Sequence, residues 1–221
     1  MKKGFTLSEL LMALTIVGVI ATLTVPVLMN NVHNKMFANQ VKNMAATIEQ
    51  LAQDELIAKR TRDLSDTDFG DPEKLLSDDH FSIAKSCTSD ESLTKCWKTN
   101  ATGKDKVTYK NLKRSGNPVV YDGKKTIILK NGVMLLYFPE SGTNNKCGVF
   151  EIDVNGNDKP NMAGRDLFAF YIDTKGHIFS LSSLQNLTLQ EATSKCKDAG
   201  DVFTVWHCYA ALADNGWKMD Y

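Results

Sequence analysis

An α+β fold, one long amino-terminal helix packed on an antiparallel sheet, is predicted by three observations. The first is a twenty-residue run without charge, Leu10 to Met29, continued by apolar residues at three- and four-residue spacing. The second is the absence of Gly and Pro between Pro26 and Gly70, which leaves nothing to break that helix. The third is a carboxyl-terminal half in which strand-like runs alternate with Asp-Gly and Asn-Gly pairs, strong short-range hairpin signals.

Length and composition agree with this class. At 221 residues, 43% apolar and 24% charged, the chain suffices for one good core with an appendage. Lys plus Arg and Asp plus Glu number 26 each, so no bulk attraction to nucleic acid or acidic lipid is expected. Charge is nevertheless uneven. From Thr61 to Lys95 nine acidic residues face four basic ones, and from Lys98 to Arg114 six basic residues face one acidic. Both stretches read as solvated loops.

The run from Leu10 to Met29 has the length, about 20 residues, that crosses a bilayer core as a helix. Lys2 and Lys3 precede it, which puts the first residues in the cytoplasm and the rest outside. No small-residue cleavage site follows the run, so it is expected to be retained as an anchor rather than lost as a secretory signal. Between Phe5 and Lys35 one carboxylate, Glu9, interrupts the apolar character. A charge in hydrocarbon costs roughly 2.5–3.5 kcal/mol on insertion scales and is therefore a functional candidate. Gly18, Ala13 and Ala21 offer small surfaces for helix approach, and Pro26 should bend or loosen the helix.

The stretch "GFTLSELL" behind a short basic leader resembles the processing site of type IV prepilins and type II secretion pseudopilins. The resemblance implies cleavage after Gly4 by a prepilin peptidase and methylation of the new terminal residue, Phe5. It implies that Glu9 is the assembly glutamate and Pro26 the kinking proline. The match is close over roughly the first thirty residues. Physically, the new amine at Phe5 of one subunit can neutralise Glu9 of a neighbour, and a mis-staggered subunit leaves both charges unpaired. The pair would set axial register.

Beyond the membrane-length run, Phe37, Val41, Met44, Ile48, Leu51 and either Leu56 or Ile57 form one apolar stripe, with Lys35, Asn39, Lys42, Glu49 and Gln53 elsewhere on the helix. One helix from about Thr6 to about Lys59 results. The organisation read from this is a leader at 1–4, a transmembrane helix half at 5–30, an amphipathic half at 31–60 and a globular head at 61–221. Residues 61–117 read as acidic loops with short helices, and "SCTSDESLTKCW" as a stapled loop. "NPVVYDGKKTIILKNGVMLLYF", "CGVFEIDVNG" and "DLFAFYIDTKGHIFSL" supply four or five antiparallel strands, the last turning near Lys175 and Gly176. The tail begins with a short helix, and its end, "CYAALADNGWKMDY", is similar to the terminal segment of type II secretion-like pseudopilins.

The five cysteines make no CxxC pair and no histidine sits at zinc-finger spacing, which speaks against zinc-finger chemistry, and disulfides are the default for an exported head. Cys87–Cys96 and Cys196–Cys208 are the expected local pairings, with Cys147 left over, although sequence alone leaves the connectivity open. Asp153, Asn155 and Asn157 occupy the first, third and fifth places of an EF-hand-like calcium loop, but Asp158 and Gly164 stand where glycine and glutamate belong. Calcium is the candidate cofactor there, against an ordinary Asn- and Gly-closed turn. His33, His80, His177 and His207 are scattered, and no nucleophile motif or phosphate loop appears, so no enzyme is expected. The segment Lys104–Arg114 interleaves Tyr109 with five basic residues, a pattern open to nucleic acid, though a lysine-rich edge reads better. Trp97, Trp206 and Trp217 are expected to pack the head.

The function implied by the resemblance is that of a structural pseudopilin or pilin-like subunit, held in the inner membrane with its head in the periplasm or on an extracellular filament. Its implied partners are the prepilin peptidase, other pilin or pseudopilin subunits, an inner-membrane platform protein and an assembly ATPase. The alternative is a minor pilin serving DNA uptake or adhesion.

Overall fold

The computed structural model describes residues 6–113, 124–140, 145–198 and 204–221. Its contacts divide the chain into two compact units, Met1–Met36 and Phe37–Tyr221. The Asp122–Gly123 turn and the strand expected before it lie outside the described residues.

Helix α1 runs over Leu7–Lys59. It ends without a glycine: Arg60 takes a left-handed conformation at φ 53°, and the N–H groups of Arg60 and Thr61 donate to Ile57 and Leu56 at 3.2 Å. That pairing satisfies two terminal carbonyls of the helix. In the second unit, Phe37, Ala38, Val41, Met44, Ala45, Ile48 and Ala52 are buried, as helical spacing requires. Leu56 packs against the core, and Ile57 is 74% exposed. The buried stripe ends on a carboxylate, Glu55, 8% exposed.

The acidic stretch after α1 is a string of capped turns. The Asp63, Thr67 and Asp71 side chains accept from the Ser65, Phe69 and Glu73 N–H groups, opening two 3₁₀ turns and the short helix α2, Pro72–Leu75. Between the caps, Leu64, Phe69 and Leu75 are fully buried. Short polar side chains at these points satisfy backbone donors that would otherwise face a core.

Six strands follow as a meander: β1 Ile83–Cys87, β2 Thr126–Leu129, β3 Met134–Pro139, β4 Lys146–Asp153, β5 Leu167–Asp173 and β6 Ile178–Phe179. Every neighbouring pair is antiparallel. Among the described residues this is one strand more than the four or five expected. The addition is β1, whose central residues are exposed and carry no apolar alternation. Asn131–Gly132 makes the expected hairpin turn between β2 and β3, with Gly132 at φ +89°. Met134–Phe138 and Cys147–Asp153 are buried along their whole length, so both faces of these strands are covered.

Helices α3 (Leu181–Leu184), α4 (Leu189–Asp198) and α5 (Thr204–Ala213) complete the head. The short helix expected at the start of the tail is α4, and a further helix, α5, lies in its Cys- and Trp-containing end and packs on β5. Tyr209 on α5 lies 4.9 Å from the Phe170 ring, and Trp206 lies 4.9 Å from Tyr171. Trp97 and Trp206 are buried, and Trp217 packs edge-on to Tyr209. Disulfides join Cys87 to Cys96, and Cys196 on α4 to Cys208 on α5.

The amphipathic part of α1 also grips the β5–β6 hairpin. Glu49 Oε1 accepts from the Ile178 N–H at 3.0 Å, and Gln53 Nε2 donates to Lys175 O at 2.9 Å. Gly176 sits between them at φ +83°, where a Cβ would come within 2.9 Å of Ala52 Cβ. Gly176→Ala is expected to destabilise the head by about 1–3 kcal/mol, read by chemical denaturation, because both backbone and space are wrong for a side chain.

Candidate functional site

The amino-terminal helix and one loop of the head carry the candidate residues, and each is described within its own unit. Gly4 and Phe5 lie outside the described residues. Thr6 is the N-cap of α1: its N–H donates to Glu9 Oε2 at 2.8 Å, while the Glu9 N–H donates to Thr6 Oγ1 at 3.3 Å. The Thr6 hydroxyl donates to the same carboxylate at 2.7 Å. This reciprocal arrangement is a capping box, encoded by Thr-x-x-Glu. The same motif recurs at Thr188 and Glu191 before α4. Glu9 thus closes a helix end and holds a carboxylate at the rim of an apolar surface.

That surface is extensive. Leu10, Leu11, Met12, Leu14, Ile16, Val17, Val19 and Ile20 are all more than half exposed, as are Leu23, Val25, Val27 and Leu28. The most apolar eighteen-residue window of α1 reaches a mean hydropathy of 2.4. A patch this large requires lipid or partner helices. Three threonines inside it send their hydroxyls back to the helix: Thr15 to Leu11 O, Thr22 to Val19 O and Thr24 to Ile20 O, at 2.8–2.9 Å. The helix passes through Pro26 without a break, so the proline removes one donor rather than ending the helix.

The loop from Asp153 to Asp166 is built differently from an EF-hand. Asp153 is fully buried, accepting from Tyr109 Oη at 2.5 Å and from the Asn155 N–H at 3.1 Å. Asn155 Nδ2 donates to the Asp158 and Lys159 carbonyls, and Asn157 Nδ2 donates to Cys96 O at 2.7 Å. Their Oδ1 atoms, with that of Asn161, are buried without a hydrogen-bond partner. The loop is closed by Asp166, fully buried, which accepts from the Asn161 and Met162 N–H groups at 2.6 Å each. Gly164, at the place where an EF-hand has its glutamate, has φ +83°, and a Cβ there would lie 2.7 Å from Cys196 Sγ. No side chain fits, so the EF-hand closure is absent for a steric reason. Tyr109, Asn161 and Asp166 were missed because no short motif links them.

Burial, followed by the nearby Asp166 charge, pushes the Asp153 carboxyl well above its ordinary range, and burial raises Asp166 to about 6. Neither makes an ion pair among the described residues. Beside the loop, Lys98, Lys104, Lys106, Lys110 and Lys159 line a groove of about 810 Å³ together with Asn161. The expected edge strand does not form there: Lys104–Lys113 is a 3₁₀ turn, Gly103–Asp105, followed by extended chain with one isolated bridge, and Arg114 lies outside the described residues.

The remaining candidates are structural. His207 Nδ1 meets Ser182 Oγ at 2.9 Å, and its neighbour Cys208 is in a disulfide. Cys147 is a buried free thiol beside Tyr137, pushed by burial up to about 11 and so unreactive at neutral pH. His177 lies 3.5 Å from Asp173 at the hairpin, and His33 is exposed.

A carboxyl raised by folding binds more protons folded than unfolded between its two pKa values, so its ionisation costs stability at neutral pH and the cost vanishes below the unfolded value. For Asp166, between 3.8 and about 6, that is roughly 3 kcal/mol. The head's melting temperature is therefore expected to rise as pH falls from 7 to 5. Asp166→Asn, which does not titrate, should weaken that rise.

Residues 1–25 match the family model of the prokaryotic N-terminal methylation motif. No curated protein and no solved structure matches the chain. An apolar helix that begins inside the matched residues, joined in sequence to an α+β head, identifies the chain as one bearing the type IV prepilin-like signal.

Proposed function

We propose that the chain is a structural subunit, a pseudopilin, of a type II secretion or type IV pilus-like filament. It is cut after Gly4, methylated at Phe5, held in the inner membrane by the first half of α1 and then assembled through that helix. The observation that carries this reading is the exposed apolar surface from Leu7 to Met29 directly behind the matched motif. Lipid covers that surface before assembly, and neighbouring helices cover it afterwards. Glu9 exchanges its contact with Thr6 for a neighbour's terminal amine, so register is set by charge neutralisation in a medium of low dielectric. The processing enzyme is a prepilin peptidase, and a polytopic platform protein and a cytoplasmic ATPase supply the extraction force.

A mass spectrum of the amino-terminal peptide tests this first. Cells with the peptidase should yield a peptide beginning at methylated Phe5, and cells without it an intact leader. Glu9→Val should leave cleavage and membrane insertion unchanged and abolish incorporation into filaments. Normal incorporation of Glu9→Val would remove the register role.

The lysine-lined groove supports a second reading, a minor pilin that retains DNA. Lys98, Lys104, Lys106, Lys110 and Lys159 against Asp105 and Asp158 leave the groove three charges positive, and none of the five lysines is ion-paired among the described residues. Lys104, Lys106 and Lys110 replaced together by Glu should abolish DNA retention under this reading and leave it unchanged under the first. Calcium in the Asp153–Asp166 loop is part of the proposal as well. The unpartnered Asn155 and Asn157 oxygens would hold the ion beside Asp153, and its charge would offset the buried carboxylates. Added calcium should then flatten the pH dependence of melting, and an unchanged profile would retire the site.

A further inference from the structure

Away from both candidate sites, three ligand-bearing side chains from successive elements of the second unit converge. Glu55 comes from the carboxyl-terminal end of α1, Asp68 from the 3₁₀ turn Asp68–Gly70 and His80 from the loop before β1. One ligand atom from each lies within 4.8 Å of the others. We propose that Glu55, Asp68 and His80 form a binding site for a divalent metal ion of the zinc class. This site is independent of the filament reading.

The donor set selects the ion. An imidazole nitrogen with two carboxylate oxygens suits a borderline cation such as Zn²⁺, whereas calcium and magnesium favour oxygen alone. Three protein ligands leave a fourth tetrahedral position open. His80 also lines a surface groove of about 560 Å³ with Thr47, Gln50 and Asp54, which provides an entry path.

Two features show that the cluster is incompletely satisfied as it stands. Glu55 is a carboxylate only 8% exposed, and among the described residues its one hydrogen bond is a long 3.3 Å contact from the Asp68 N–H. Buried carboxylates ordinarily have stronger partners. Second, among the described residues the two carboxylates are met by one permanent cation, Lys59, whose Nζ lies 3.0 Å from Asp68 Oδ1, and His80 adds charge only when protonated. A bound Zn²⁺ would supply the missing positive charge. The ion would compete with Lys59 for Asp68, whose Oδ2 already faces His80 Nε2 at 3.0 Å. The imidazole proton resides on Nδ1 in the bound form, leaving Nε2 its lone pair.

The ligands are held before any ion arrives. Phe69, next to Asp68, is fully buried and its carbonyl accepts from Tyr137 Oη at 2.6 Å. Phe81, next to His80, is 6% exposed. Metal binding would therefore staple the end of α1 to the capped turns that follow it.

The experiment titrates ZnCl₂ into the full chain in detergent micelles after chelator treatment, followed by calorimetry and thermal melting. One equivalent should bind with a rise in melting temperature, and His80→Ala or Asp68→Asn should weaken binding by about tenfold or more. Lys59→Gln, which removes the competing cation and none of the ligands, should tighten it. That response is not produced by an ion-pair network alone. Cobalt in place of zinc should give visible absorption without a thiolate band. No binding by the wild-type chain, binding that His80→Ala leaves unchanged, or a thiolate band pointing to Cys147 would each overturn the assignment.

Discussion

A backbone in hydrocarbon finds no water for its N–H and C=O groups, and the first half of α1 has the length, apolar surface and continuity that this constraint demands. Only a continuous helix satisfies every peptide unit there. The polar side chains of that segment obey the same rule. Thr15, Thr22 and Thr24 return their hydroxyls to carbonyls one turn back, and Glu9 folds onto the Thr6 cap. The segment is consequently apolar toward its surroundings without being apolar in composition throughout. Glu9 is the exception: it is close enough to the helix end to be satisfied by the Thr6 cap, and in the proposed assembly it meets an incoming amine.

In the second unit the same helix obeys a different rule. Its residues from Phe37 onward bury one stripe in the cluster that also contains the strands and α5. Polar groups at the edge of this cluster are used as fasteners. Glu49 and Gln53 satisfy the backbone of the β5–β6 hairpin, whose far edge would otherwise be an open row of donors and acceptors. The Asp153–Asp166 loop extends the pattern into the interior, where Tyr109 and backbone N–H groups, that of Asn155 on Asp153 and those of Asn161 and Met162 on Asp166 among them, take up the carboxylates. A calcium-loop spacing in the sequence is thus realised as a buried hydrogen-bonded loop. The Cys196–Cys208 disulfide occupies the space where a glutamate ligand would have to stand.

The features legible in the sequence were those with short periods. The helix, its buried stripe and the Asn131–Gly132 and Lys175–Gly176 turns depend on neighbours within a few residues, and the structure places them where periodicity and turn chemistry put them. The paired Thr-x-x-Glu caps were equally local and simply went unassigned. Strand β1 was not legible: its central residues are exposed, so no alternation marks it, and its existence depends on pairing with β2, some forty residues on. The helical nature of the tail beyond Thr204 was obscured because an all-round apolar helix buried against β5 shows no stripe.

By itself the sequence determined that a long helix is apolar all round in its first half and one-sided in its second, that the head is α+β, and that an N-terminal methylation motif opens the helix. These follow from hydrophobic period, breaker residues and local motif, all of which act over one or two turns of chain. The tertiary structure alone decided which carboxylates are buried, and that Glu55, Asp68 and His80 meet. Their separations along the chain carry no signal. The meeting is produced by the packing of Phe69 and Phe81 into a shared core, and burial then gives each neighbouring charge an environment that no local pattern specifies.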